Sequence, residues 1–147
     1  MKISDFLSPS ETLFNIRASD KEQLLQELAR RAASKLKLSE SEIVTELLKR
    51  EGLGSTGMGN GVAIPHARFQ SIGKPFGVVA RLKQPIDFDA IDGQAVDIVF
   101  LLLLPAAAEG EQLGALACVA RKLRAADDLA KVRRARTASE LFATLGA

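Results

Sequence analysis

The sequence has no tryptophan and no tyrosine, and it has one cysteine and one histidine in 147 residues. Each scarcity excludes a class of function. Without Trp or Tyr there is no aromatic platform of that type for a ligand, and the seven phenylalanines are left to serve the core. Cys118 alone makes neither an internal disulfide framework nor a multi-cysteine zinc site, and it suits a reducing compartment. His66 alone, with no cysteine or carboxylate ligands beside it in the chain, makes zinc a poor fit. Long hydrophobic runs are also missing. The longest, Ile98 to Ala108, contains Pro105 and is little more than half of the roughly twenty residues a membrane-spanning helix needs. Met1 to Ser8 carries one lysine but no apolar core of signal-peptide length. Neither sign of charge dominates, the net charge being +2. A cytoplasmic protein without membrane insertion is expected.

What remains is ordinary globular material, 47% apolar and 26% charged. A chain of this length corresponds to about one domain of roughly 150 residues, large enough to build a core without staples. Residues 1–147 are read as that single domain, with no repeats, low-complexity segment or linker. Ile3, Phe6 and Leu7 are spaced like one helical turn, and Leu13 to Ile16 looks extended. Ser19-Asp20-Lys21-Glu22 has the pattern of a capping box, and the helix behind it places Leu24, Leu25, Leu28, Ala29, Ala32 and Leu36 on one face. Ser39 to Glu42 opens a second helix, with Ile43, Val44, Leu47 and Leu48 inward, which closes near Lys49-Arg50-Glu51-Gly52. Val62 to Ile64 fits a short strand. Phe76 to Leu82 is a strand with Phe76, Val78, Ala80 and Leu82 on one face, and Pro85 to Gln94 is a turn-rich loop. Val96 to Leu104 is apolar on both faces, the pattern of a central buried strand stopped by Pro105. A helix from Glu109 to Arg124 turns Leu113, Leu116, Ala117, Ala120 and Leu123 inward, with Cys118 a small core residue among them. A short helix near 127–133 and a last one, capped by Thr137 to Glu140 and carrying Leu141, Phe142 and Leu145, complete the chain. Helices, then strands, then helices make an α/β domain with a mixed β-sheet flanked by helices.

Four of the eleven glycines lie between Gly54 and Gly61, and they lead through Val62-Ala63-Ile64 to Pro65 and His66. Glycine serves a backbone that needs positive φ or close approach, whereas Pro65 fixes its own φ and biases Ile64 toward an extended conformation. A permissive segment therefore hands over to a rigid step that presents an imidazole, a side chain largely neutral and nucleophilic near pH 7. A loop histidine with no task is the bland alternative. Against it stand Arg50, at the end of the preceding helix, and Arg68, two residues on. Arginines make the imidazole a poor metal ligand and a poor cationic acid, yet they suit a phosphoryl group, which adds about −1.5 to −2 charges.

Other chemistries find little support. Gly57-Met58-Gly59-Asn60-Gly61 is neither the dinucleotide fingerprint nor a nucleotide P-loop, and Ser55 is not in a hydrolase elbow. Asp87, Asp89 and Asp92-Gly93 miss the spacing of a calcium loop, because Ile91 and Ile98 occupy ligand positions. The basic residues from Arg121 to Arg136 are interrupted by Asp127 and Asp128 and carry no nucleic-acid motif. They are read as a solvated face, part of which could dock an acidic protein.

Arg50-Glu51, Gly54-Ser55-Thr56-Gly57 and Gly59-Asn60-Gly61-Val62-Ala63-Ile64-Pro65-His66 closely resemble the signature of the phosphotransferase-system IIA domains of the fructose/mannitol class. The resemblance continues through Pro85 to Asp97 and the strand end Leu104-Pro105-Ala106, and is greatest toward the nitrogen-regulatory branch. It implies phospho-acceptance on Nε2 of His66 from an HPr-like carrier charged ultimately by phosphoenolpyruvate. It also implies electrostatic support from Arg50, a phosphate loop of Ser55, Thr56, Gly57 and Gly59, and no cofactor, metal or nucleotide. Gln112 stands where many relatives carry a second histidine, and an amide can hydrogen-bond to phosphate but cannot titrate. Arg68 and Gln112 are therefore supporting candidates. The function implied is a phosphotransferase-type carrier that regulates regulatory or transporter target proteins by its phosphorylation state, not a metabolic enzyme on its own. The alternatives are a sugar-specific IIA subunit serving a IIB domain and a IIA-like binding module without turnover.

Overall fold

A computed structural model describes residues 1–106 and 109–147, and of these the side chains of all but 109–113. Its elements in chain order are β1 (Thr12–Ile16), α1 (Lys21–Leu36), α2 (Glu40–Gly52), β2 (Gly57–Gly59), β3 (Val62–Ala63) and β4 (His66–Phe69), followed by β5 (Phe76–Ile86), β6 (Val96–Pro105), α3 (Glu109–Arg124), α4 (Ala126–Arg134) and α5 (Ala138–Gly146). Two short 3₁₀ turns, Ile3–Asp5 and Pro9–Glu11, precede β1. Among the described residues no helix is long and apolar enough to cross a membrane.

The strands form one mixed sheet in the order β1-β5-β6-β3-β2, with β4 also paired to β6. Strand β6 lies at its centre, antiparallel to β5 and parallel to β3 and β4. It is buried on both faces, as its continuous apolar run requires. Val99, Leu101 and Leu103 join the core beneath α1 and α2, while Ile98, Phe100, Leu102 and Leu104 join a second core beneath α3, α4 and α5. The period-two alternation of a strand thus divides one apolar run between two helical layers.

Strands β3 and β4 lie along the same edge of β6 in one register: Val62 and Ala63 face Ile98 and Val99, and His66 to Phe69 face Leu102 to Pro105. They are in effect one strand broken at Ile64-Pro65. Proline has no N–H to give to the ladder, although the Pro65 carbonyl still accepts from Leu102 N at 2.9 Å. His66 is therefore the first residue after a break in an otherwise continuous parallel pairing.

The fold class is as the sequence implies, but several details differ. Asp20, not Ser19, caps α1: its carboxylate accepts from Gln23 N at 2.8 Å, and the Gln23 side chain reaches back to Ser19 N. The strand beginning at Phe76 continues to Ile86, so Pro85 lies within it, at the irregularity between Arg81 and Ile86 where a missing donor is tolerated. The glycine stretch is not wholly loop, because β2 and β3 form a hairpin turned by Asn60-Gly61. Helix α3 buries Ala115, Val119 and Leu123, while Ala117 is exposed and Leu116, Cys118 and Ala120 are half-buried. Ala115, Val119 and Leu123 make an i, i+4, i+8 line into the second core, and Leu116, Cys118 and Ala120 pack beside it. Leu113 falls outside the described side chains.

Candidate functional site

Helix α2 delivers the first components. Ser39 caps it by accepting from Glu42 N, and Ile43 and Leu47 bury its inner face. Its last turn carries Arg50 and Glu51, side by side in sequence but differently placed. Arg50 is half-buried and donates from Nη1 to Gly54 O at 2.7 Å. The Glu51 side chain is only 5% exposed and is paired with Lys21 Nζ at 2.7 Å.

The segment that follows is tied down at each step. Thr56 donates its backbone N–H to Glu51 Oε2 at 3.2 Å and its hydroxyl to Glu51 Oε1. The Ser55 hydroxyl donates to Phe88 O at 2.6 Å and accepts from Gly57 N at 3.0 Å. Gly57 has no room for a side chain, since a Cβ there would lie 2.8 Å from that of Ala90. Gly59, Asn60 and Gly61 follow at φ of 99°, 57° and 77°. Positive φ at both turn residues is what a two-residue hairpin with right-handed strand twist needs, and Asn-Gly meets it at least cost. Asp92 holds this turn on one side by accepting from Asn60 N at 3.0 Å, and Arg133 holds it on the other by donating to Asn60 O at 2.5 Å. The bonds from Gln94 N and Asn60 N also keep the Asp92 carboxyl below its usual pKa.

His66 is half-buried, in a cleft lined by Glu46, Lys49, Arg50, Leu53, Ala67 and Arg68. Its Nδ1 lies 2.8 Å from Ile64 O. A carbonyl only accepts, so Nδ1 carries the proton, and Nε2 keeps an unprotonated lone pair. Burial lowers the pKa of the ring below its ordinary value near 6.5; the bond to Ile64 O opposes this, Arg50 and Arg68 add to the lowering, and Glu51 pulls back. The product is a neutral imidazole with one nucleophilic nitrogen, set among cations that disfavour its protonation and favour an incoming anion. Such a site can form a bond from nitrogen to an electrophilic phosphorus.

Arg50, His66 and Arg68 thus share one cleft, with Arg68 at its exposed rim. Ser55, Thr56, Gly57 and Gly59 are not among the residues that line this cleft, and both hydroxyls already donate to protein acceptors. Gln112 lies on α3, and its side chain is outside the described residues. Among the described residues no group of three or more His, Cys, Asp and Glu could hold a metal. Sequence reasoning passed over Lys21, Phe88, Asp92 and Arg133 as supports, and named Glu51 only as a neighbour of Arg50. The Asn-Gly pair was the one local signal that could have revealed the hairpin.

The family model of the phosphoenolpyruvate-dependent sugar phosphotransferase system, EIIA 2, matches residues 5–147. The chain belongs to this family. It is 45% identical over 145 residues to the nitrogen regulatory protein of Bradyrhizobium diazoefficiens, covering 99% of this chain and 95% of that one. It is 39% identical to the nitrogen regulatory protein of Pseudomonas aeruginosa, covering 97% and 93%. The crystal structure of nitrogen regulatory protein IIA-Ntr from Neisseria meningitidis superposes with a TM-score of 0.92 at 34% identity, over 97% of this chain and 98% of that one. The resemblance carried by the Arg50-to-His66 signature is borne out, as is its leaning toward the nitrogen-regulatory branch. In this IIA domain the hairpin and the proline break flank Ile64, whose N–H donates to Thr56 O and whose carbonyl accepts from His66 Nδ1.

Proposed function

We propose that the protein is a cytoplasmic phosphoryl carrier that accepts phosphate on Nε2 of His66 from the phosphohistidine of an HPr-like protein. In this reading it regulates regulatory or transporter proteins through its phosphorylation state. The observation that carries the reading is the bond from His66 Nδ1 to Ile64 O, which leaves Nε2 as the nucleophile beside Arg50. In the transfer, the Nε2–P bond forms as the donor's N–P bond breaks, the bonding pair leaves with the donor imidazole, and the proton on Nδ1 stays in its bond to Ile64. Transfer between two histidines needs little driving force, so positioning and charge stabilisation do most of the work. Arg50 and Arg68 balance the charge of the phosphoryl group, while Ser55, Thr56, Gly57 and Gly59, whose hydroxyls and whose Thr56 and Gly57 amides are bonded within the protein, contribute the shape of the adjoining segment. Family membership and the nitrogen-regulatory relatives support the regulatory output. Gaining about two negative charges on one surface is enough to make or break docking on a target.

The test is intact-mass measurement after incubation with phosphoenolpyruvate, an enzyme I-type kinase and an HPr-like carrier from the same source. One acid-labile, phosphate-sized gain is expected in the wild type and none in His66→Ala. Absence of any gain in folded wild-type protein would overturn the reading. Efficient onward transfer to a IIB-type cysteine would move it to the transport class.

A further inference from the structure

A continuous chain of bonds runs from the helical layer to the imidazole. Lys21, at the start of α1, places Nζ 2.7 Å from Glu51, 3.4 Å from Phe88 O and 4.7 Å from the centre of the Phe88 ring. Glu51, at the end of α2, accepts both the backbone N–H and the hydroxyl of Thr56. Thr56 O accepts from Ile64 N at 3.1 Å, and Ile64 O accepts from His66 Nδ1 at 2.8 Å. We propose that Glu51 is the positioning residue of the His66 site: through Thr56 and Ile64 it sets the carbonyl that orients the ring and selects its tautomer, and Lys21 is its counter-ion. The inference rests on the acceptor role proposed for His66 and adds to it a residue that touches neither the phosphorus nor the ring.

The physical case has three parts. A carboxylate that is 5% exposed is costly unless paired and hydrogen-bonded, and here both are provided by groups from separate segments. Those partners hold together the start of α1, the end of α2, the Ser55–Gly57 segment and the carbonyl of Phe88, to which the Ser55 hydroxyl also donates. Lastly, the Thr56–Ile64 bond crosses the β2–β3 hairpin, so a shift of Thr56 passes to Ile64 without an intervening flexible residue. Ile64 is otherwise held by its buried side chain in the second core and by Pro65, whose carbonyl is bonded to Leu102 N. Its side chain stays anchored when Thr56 is released, but the backbone loses its restraint from the hairpin side, so the plane of Ile64 O can tilt and weaken the bond that fixes the proton on Nδ1.

The experiment compares wild type, Glu51→Ala, Glu51→Gln and His66→Ala. Two quantities are read: the imidazole nitrogen spectrum, which has a single histidine to report, and the rate of phosphoryl transfer from the phosphorylated HPr-like carrier. In the wild type one tautomer is expected, protonated on Nδ1. In Glu51→Ala a mixture of tautomers is expected, with the rate at saturating donor down about 100-fold and KM for the donor within about threefold. Glu51→Gln, whose amide oxygen can still accept from Thr56 N, should recover at least about tenfold of that loss. A folded Glu51→Ala with the wild-type tautomer and rate would overturn the inference, and a lowered melting point alone would leave Glu51 a structural residue. If Glu51→Ala does not fold, Thr56→Val carries the same two readings, with a tautomer mixture and about a tenfold rate loss expected and wild-type behaviour overturning. Failure of the wild type to take phosphate would sink the acceptor reading instead, and the ring spectrum would still judge the positioning.

Discussion

Gly57→Ala tests the packing of the segment beside His66 most directly. The backbone of Gly57 is not in the left-handed region, so the substitution carries no penalty of conformation, and its cost is one of space. The new Cβ would lie 2.8 Å from Ala90 Cβ and 3.0 Å from Ala90 Cα. Ala90 is itself 9% exposed and sits over the segment, so one of the two must move by about 1 Å, the difference from an ordinary carbon contact of roughly 3.5–4.0 Å. Overpacking of this kind costs about 2 kcal/mol, which for a domain of this size lowers Tm by about 4–8 °C. The assay is urea and thermal unfolding of four proteins: wild type, Gly57→Ala, Ala90→Gly and the double variant. Ala90→Gly alone should cost about 0.4–1 kcal/mol, because the unfolded chain gains freedom. In the double variant the Cβ clash is gone while the tight approach to Cα remains, so a partial rescue with a coupling of about 1 kcal/mol is expected. Strict additivity, or a Gly57→Ala protein as stable as the wild type, would refute the reasoning.

The chain has one histidine, so its titration can be followed without overlap. Its midpoint should fall below 6.5, Arg50→Gln should raise that midpoint, and phosphoryl acceptance should hold steady as pH falls to about 6.5 and decline only below it; a midpoint at or above 6.5 would contradict the burial argument. Below 6.5 the unfolded chain binds the proton that the folded ring resists, so folding loses stability on acidification until the depressed folded value is passed. Asp20→Ala should cost about 1 kcal/mol in urea unfolding and Ser19→Ala less than about 0.5, the reverse order placing the cap of α1 at Ser19 instead. Leu101→Ala, in the fully buried centre of β6, should cost about 2–5 kcal/mol, and a loss below about 1 would contradict its place in the core.

Whatever depends on local chemistry and periodicity could be read from the residues alone. The apolar faces of α1 and α2, the two-sided burial of β6, the caps at Ser39 and Thr137, and the conjunction of a glycine segment, a proline and the one histidine were all legible there. These features are encoded within a few residues, so a window of the chain holds the whole signal. The errors were of two kinds. The stripe on α3 and the extension of β5 through Pro85 were set by neighbours distant in sequence, and the cap of α1 by a competition between adjacent residues that a pattern match cannot rank.

The state of His66 depends on contacts between segments far apart in the chain. The acceptor for Nδ1 is a carbonyl two residues back, but its orientation depends on Thr56, and Thr56 depends on Glu51 and on Lys21 from another helix. Asp92 and Arg133 likewise grip the Asn60 turn from opposite sides after long intervals of chain. Hydrogen bonds and ion pairs act over about 3–4 Å with little regard for sequence separation. A linear reading can therefore name the imidazole and its arginines, while the nitrogen that is left free, and the carboxylate that keeps it so, exist only once the sheet and both helical layers have come together.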